Sequence, residues 1–571
     1  MSSKKKWSGI VVTVIVALAL LAIPASGVAS VASDDSECDT CKTCTVYGVG
    51  KKATVDGSVM SSQSADCGMC EMRILFEPAA DHEPGDMRVL RYWPQISGGW
   101  EIEGSIEDTP YAIPEVAHTY AYFWSVFGLM NEHQLGIAEE TRGAVRAVNV
   151  APGVVAYGVT EFSALALERC TTAREAIELM GWVAETYGFT GYSRGECLFV
   201  QDPEEVWVWE IVRPGPEWSP DPDTGIDPTG RLGCAWAAQR IPDKEVVCAP
   251  NIARIGEIAY EGAYDDFVLS DPDNFMASAN IFTLAEELDL WDPAEPFVMY
   301  KVYGNGKASV RLWNSYRLIA PKTWGDRPFT DDLDEYPFSI KPENKDGQFR
   351  KLSVWDIAAL YRDHAEGTEF DNTQGVAAGP WRNPQHYGRT RVVPTQGAEY
   401  TVINQSRSWL PDPIGGICWW GPDAGDTSTF VPFYCGINEL PESYSTGNHW
   451  EFTRDSAWWA HNFVGNWATI NWGGMYPYIV LLQDELESAE ATAIPVIDKA
   501  AGKLYKKGEV AEARQYLTDY CIDNANTVVA AWWDLADWLI ANFDDSSYPR
   551  YLPDGTRQRP SQEWLDACFP E

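Results

Sequence analysis

Cys44 heads a β-hairpin pattern, and that placement constrains this chain more than any other feature. Cys44-Thr45-Val46-Tyr47-Gly48-Val49-Gly50 reads as a strand, Asp56-Gly57 supplies a tight turn, and Ser58-Val59-Met60 begins the return. Strands are expected over 46–49 and 58–62. If the chain is cut between Thr43 and Cys44, one residue gains both a thiol and a free α-amine. The thiol is a strong nucleophile. The amine, with a pKa of about 7.7–8.0, can act as its base. No histidine is then required.

The N-terminus supports such a cut. Lys4-Lys5-Lys6 precedes an apolar run from Ile10 to Ile23, then Pro24 and the small residues 25–30. This is the layout of a secretory signal, and the run is short for a membrane span. We expect 1–33 to be a signal peptide, 34–43 a short acidic propeptide leader, 44–545 the main domain and 546–571 a C-terminal tail. An uncleaved signal anchor is the alternative, and would be the chain's one membrane attachment. The expected location is extracellular or on the cell surface.

Of the 571 residues, 45% are hydrophobic, which suits a large globular core. Asp and Glu number 83 against 43 Lys and Arg, a net charge of −40. Such a surface repels nucleic acid and anionic membranes.

The 13 cysteines of an exported chain suggest disulfides. Setting aside Cys38, Cys41 and Cys44 leaves enough for up to five bridges. A second reading competes: Cys38-x-x-Cys41-x-x-Cys44 with Cys67-x-x-Cys70 has the spacing of a zinc or iron–sulfur site. Cys67 and Cys70 could pair locally, pair elsewhere or bind metal.

Elsewhere the order is mixed α and β. Helices are expected over 173–187, 456–468, 484–501 and 515–543, and a hairpin over 197–200 and 206–212. The Pro-, Asp- and Gly-rich stretch 214–230 should be an exposed acidic loop; its Asp221-x-Asp223-x-Gly225-x-Asp227 lacks the downstream Glu of an EF-hand. The segment 548–571 should be irregular.

Several stretches, in order, resemble the C69 family of cysteine dipeptidases, which are N-terminal-nucleophile hydrolases. They are Cys44-Thr45 with Gly50-Lys51-Lys52-Ala53 and Asp56-Gly57-Ser58; Met130-Asn131-Glu132-His133-Gln134-Leu135-Gly136-Ile137; Trp236 to Asp243; Trp409-Leu410-Pro411; Val431 to Tyr434; and Leu440-Pro441-Glu442-Ser443-Tyr444. The likeness covers roughly residues 44 to 505. It implies an α+β fold, the four-layer αββα sandwich of two face-to-face antiparallel sheets between helices, here with helical C-terminal additions.

The resemblance implies a catalytic set of Cys44, Asp66, Asn251 and Arg311. Cys44 is the nucleophile, Asn251 an oxyanion donor, Asp66 the residue that orients the amine, and Arg311 a late active-site cation. Thr141 falls where acylase relatives carry a second oxyanion-hole Asn. His133 lies in a family motif that looks like a structural turn. The chain departs from the family at Gln63-Ser64-Ala65-Asp66, where relatives usually carry Arg in place of Gln63. A positive charge that could hold a substrate carboxylate is thereby lost, and Arg311 is the best remaining candidate for that task. Short peptides are the implied substrates; no cofactor, metal or nucleic acid is implied. Two alternatives stand beside this reading: an amidase or acylase on the same fold, and a non-catalytic exported protein binding metal through its cysteine cluster.

Overall fold

The computed structural model of the protein describes residues 44–93, 106–151, 156–191, 193–385, 390–545 and 551–570. The expected signal peptide and leader, with Cys38 and Cys41, lie outside the described residues.

Two antiparallel sheets dominate. One has six strands: β1 (Thr45–Val49), β2 (Val59–Ser64), β10 (Val246–Ala249), β12 (Tyr400–Ser406), β13 (Ile417–Pro422) and β14 (Val431–Tyr434), in the order β10-β1-β2-β12-β13-β14. The other has eight: β3 (Leu75–Glu77), β4 (Tyr122–Trp124), β5 (Gly128–Asn131), β6 (Gly136–Arg142), β7 (Gly195–Gln201), β8 (Val206–Val212), β9 (Ala235–Arg240) and β11 (Phe275–Ala277), in the order β11-β9-β8-β7-β6-β5-β4-β3. The first hairpin closes as the sequence implies. Asp56 Oδ1 accepts from the Ser58 amide at 3.0 Å, and Gly57 takes a φ of 87°. Gly50 admits no side chain, because a Cβ there would lie 2.4 Å from the Pro242 carbonyl.

Alternation along the strands brings the sheets face to face. Val46, Val59, Val247 and Ala249 of the first sheet share a buried cluster with Ala138, Phe199 and Val208 of the second. Helices α1 (Val159–Arg169) and α2 (Ala173–Tyr187) pack on the eight-stranded sheet. Helices α3 (Val310–Ile319), α4 (Val354–Leu360), α5 (Ala457–Ala468) and α7 (Val510–Asn542) pack on the six-stranded sheet. Helix α2 spans the expected residues because a capping box of Thr172 and Glu175 starts it and Gly188, at φ 85°, stops it.

Three expectations need correction. The helix expected over 484–501 is a 35-residue helix, α6 (Trp472–Lys506), that runs through Pro477 and Pro495. Local breakers lose here to packing: Met475, Ile479 and Ile494 are buried, and α6 pairs with α7 across the Gly508 turn. The expected irregular tail contains a short helix, α8 (Gln562–Cys568). The expected set of up to five disulfides reduces, among the described residues, to Cys67–Cys70. Cys170, Cys197, Cys234, Cys248, Cys418, Cys435 and Cys521 are free and buried; all but Cys435, whose thiol donates to the Asp412 carbonyl at 3.0 Å, fill the core as small apolar side chains. Among the described residues no helix is long and apolar enough to cross a membrane.

Candidate active site

Cys44 immediately precedes β1 and is 5% exposed. Strand alternation puts it on the face of Val46, toward the eight-stranded sheet. Burial, then the charges of Glu139 and Asp66, push its thiol well above the ordinary range, while a backbone hydrogen bond at Asp66 acts in the opposite direction. The thiol is therefore neutral near pH 7, and attack by sulfur needs a base.

Arg311 sits in the first turn of α3, whose start Ser309 caps. Its Nη1 donates to the Cys44 carbonyl at 2.5 Å and to Thr45 Oγ1 at 3.0 Å. Its Nη2 donates to the Pro250 carbonyl at 3.1 Å and to Asn251 Oδ1 at 2.8 Å. Burial and the neighbouring Arg391 charge lower its pKa to about 10, so it stays cationic. A substrate carboxylate would have to compete with these four protein oxygens for it.

Asn251 follows β10 in a left-handed conformation, φ 63°, which asparagine adopts more readily than most residues. Its Nδ2 donates to the Thr141 carbonyl at 2.6 Å, and its Oδ1 receives Arg311. Both ends of the amide are thus fixed, and Nδ2 keeps a second hydrogen. Thr141 enters the site through its carbonyl; its hydroxyl donates to Glu139 Oε1 at 3.0 Å.

Asp66, two residues beyond β2, is 3% exposed and ion-paired with Arg391. Burial raises its pKa; Arg391, then Arg311 and a Ser64 hydrogen bond, oppose that rise. Arg391 was not anticipated. It comes from an irregular segment more than 300 residues downstream, with no motif around it, and its side chain is 29% exposed. A cation beside Asp66 is therefore present although Gln63 supplies none.

Gln63 serves another purpose. Its Nε2 donates to Tyr400 Oη at 2.8 Å, and its Oε1 accepts from the Glu139 amide. It braces the two sheets beside the nucleophile. Tyr361, also unanticipated, donates its hydroxyl to the Thr45 carbonyl at 3.0 Å. His133 pairs with Asp412 at 2.9 Å within the turn that joins β5 to β6, and Asn131 organises that turn by accepting from the His133 and Leu135 amides. A cavity of about 360 Å³ lies at the opposite end of β2 and β12, lined in part by Met60, Trp355 and Trp419, apart from this constellation.

Cys44, Asp66, Asn251 and Arg311 are thus gathered around one strand end. Arg311 touches the backbone of Cys44, Asn251 bonds Arg311, and Asp66 lies close enough for its charge to act on the thiol. Cys67–Cys70 holds the loop just after Asp66. Among the described residues no three His, Cys, Asp or Glu side chains are gathered as metal ligands.

Comparison with known proteins follows the same lines. Residues 43–484 match the sequence profile of Peptidase family C69. A probable dipeptidase of Latilactobacillus sakei is 26% identical over 473 residues, 79% of this chain and 86% of that protein. A probable dipeptidase B of Lactococcus lactis subsp. lactis is 25% identical, covering 69% of this chain and 75% of its own length. Dipeptidase A of Lactobacillus helveticus is 23% identical, covering 74% and 81%.

Proposed function

The chain belongs to peptidase family C69, and from that premise we propose a secreted cysteine dipeptidase that cuts short peptides through an autocatalytically exposed N-terminal Cys44. The relatives named dipeptidases support the substrate class. The two facing sheets, with helices packed on each, support the N-terminal-nucleophile αββα sandwich as the fold. One observation carries the reading: the Arg311–Asn251 hydrogen-bond chain converges on Cys44, and the family match begins one residue before it.

In the proposed reaction the α-amine of mature Cys44 takes the thiol proton as sulfur attacks the scissile carbonyl. The negative charge that develops on the carbonyl oxygen is met by the remaining Nδ2 hydrogen of Asn251. The amine returns the proton to the leaving amino group, the C–N bond breaks, and a thioester remains. Water, deprotonated by the same amine, releases the first amino acid. Arg311 fixes the Cys44 carbonyl and Asn251, so nucleophile and oxyanion donor move as one unit. Arg391, the more accessible cation, faces the leaving residue's carboxylate.

Intact mass and N-terminal sequencing of the purified protein test the maturation. The expected first residue is Cys44; a fully active protein retaining Cys38 and Cys41 would overturn it. The expected inhibitor profile is loss of activity on thiol alkylation and full activity in chelators. Stoichiometric zinc or iron, with activity lost on its removal, would show the cysteine cluster to be a metal site. Substrate class is tested on free dipeptides, their C-terminal amides and N-acyl amino acids; cleavage of N-acyl compounds alone would make the protein an acylase on this fold.

Arg391→Gln is expected to raise KM for free dipeptides about 10- to 100-fold and to affect C-terminal amides less, the cost of one charge-assisted hydrogen bond. It also removes the charge that opposes the upward shift of Asp66. The Asp66 pKa then rises further, so the ionised form is lost at a higher pH as the solution is acidified. The acid limb of kcat/KM should move to higher pH in this variant; an unmoved limb separates Asp66 from the reaction.

A further inference from the structure

We propose that the cavity at the turn end of the β1–β2 hairpin binds a small organic ammonium ion, a primary amine carried on an apolar body. This site is separate from the peptidase chemistry and would stand without it.

The cavity, of about 360 Å³, is walled by the hairpin turn, the end of β12, β13, the start of α4 and the second half of α6. Its volume is that of a small-molecule site. Asp56 and Ser58 of the turn, and Trp409, belong to stretches that stand out in the sequence and that the proposed reaction does not use.

Charge decides the class of ligand. The charged residues of the wall are Asp56, Arg407 and Asp498. Arg407 and Asp498 neutralise each other: Arg407 Nη1 donates to Asp498 Oδ2 at 2.7 Å, and Tyr434 Oη donates to Asp498 Oδ1 at 2.7 Å. Asp56 has no cationic partner among the described residues. Its Oδ1 accepts from the Ser58 amide and hydroxyl, and its Oδ2 accepts from Gln405 Nε2 at 2.9 Å. Oδ2 keeps an acceptor position. Helix α6 adds another acceptor. Pro495 has no N–H, so the Ala491 carbonyl lacks its usual helical donor, and both residues line the cavity.

Much of the remaining wall is aromatic. Trp355 and Trp419 meet edge to face, with centroids 5.1 Å apart and planes at 73°. Trp419 Nε1 donates at 3.1 Å to Gln405 Oε1, the side chain that also binds Asp56, so indole and carboxylate are held as one unit. Trp409 is 51% exposed and gives the cavity its solvent side. Indole attracts a cation more strongly than any other side-chain ring. A primary ammonium brings that charge and three N–H donors. An anion would face Asp56 and the Ala491 oxygen, and an apolar molecule would leave both without a donor.

The test is a calorimetric titration of the purified full chain, its Cys44 capped with iodoacetamide to block the reacting centre. The probes are 2-phenylethylammonium, its neutral counterpart 2-phenylethanol and the anion 3-phenylpropionate. The ammonium should bind at one equivalent, about tenfold or more tighter than the alcohol, and the anion should not bind. Asp56→Asn keeps an acceptor for Ser58; it should weaken the ammonium about 10- to 100-fold and leave the alcohol unchanged. Its uncapped form should cleave dipeptides at the wild-type rate, which reports that it has folded. A wild type that binds the alcohol as tightly as the ammonium, or binds neither at about 10 mM, overturns the proposal whether or not the variant folds. So does an Asp56→Asn protein that binds the ammonium as wild type does, which would put that ion elsewhere.

Discussion

Cys44→Ala is expected to abolish hydrolysis, by about 10⁵- to 10⁶-fold, and to leave residues 34–43 attached to the purified chain. Both losses follow from one missing sulfur, because the thiol proposed to cut Thr43–Cys44 is the thiol proposed to attack the substrate. Nothing nearby can replace it. The free cysteines on strands near Cys44, Cys197 of β7 and Cys248 of β10, are buried in the core, with thiols pushed up by burial. Cys44→Ser should mature slowly, since a hydroxyl can perform the same acyl shift less readily, and its mass should show a mixture of long and short chains. An alanine variant that matures at the normal site would mean that another protease makes the cut.

Arg311→Ala is expected to carry the second-largest penalty. The side chain is buried and its terminal nitrogens serve four oxygens, from Cys44, Thr45, Pro250 and Asn251. Truncation leaves those acceptors without a donor and opens a gap behind the nucleophile. The expected loss is about 3–5 kcal/mol of stability, read as a lower denaturation midpoint. In the folded fraction kcat should fall about 100-fold, with KM for free dipeptides and for their amides changing alike. That pattern distinguishes a positioning residue from a carboxylate receptor, for which KM on free dipeptides alone would rise. Arg311→Lys should fall between, because an ammonium cannot span both the Cys44 carbonyl and the Asn251 side chain.

The parts of this molecule that were legible in its sequence are those set by local chemistry. The Asp56-Gly57 turn, the 3.6-residue apolar period of Ala173–Tyr187 and the apolar runs on either side of Asp202-Pro203 each carry their instruction within a few residues. Helix α6 did not, because Pro477 and Pro495 signal breaks that packing against α7, α5 and β14 overrides. The same division holds at the site. Cys44 and Asp66 could be placed because they lie in one hairpin. Arg391 could not, since its meaning comes from an ion pair with a residue 325 positions away. Gln63 shows the reverse error, a residue judged by a charge it lacks when its role is to brace two sheets.

The seven buried thiols have a consequence for how this protein would fail. Folded, all seven are buried, six of them among apolar side chains and Cys435 against the Asp412 carbonyl. A single excursion to the unfolded chain releases them together, beside the Cys67–Cys70 bond with which any thiolate can exchange. In an oxidising medium the released chain would be trapped by scrambled bridges before it could refold. Its working lifetime would then be set by how rarely it opens rather than by how strongly equilibrium favours the closed form.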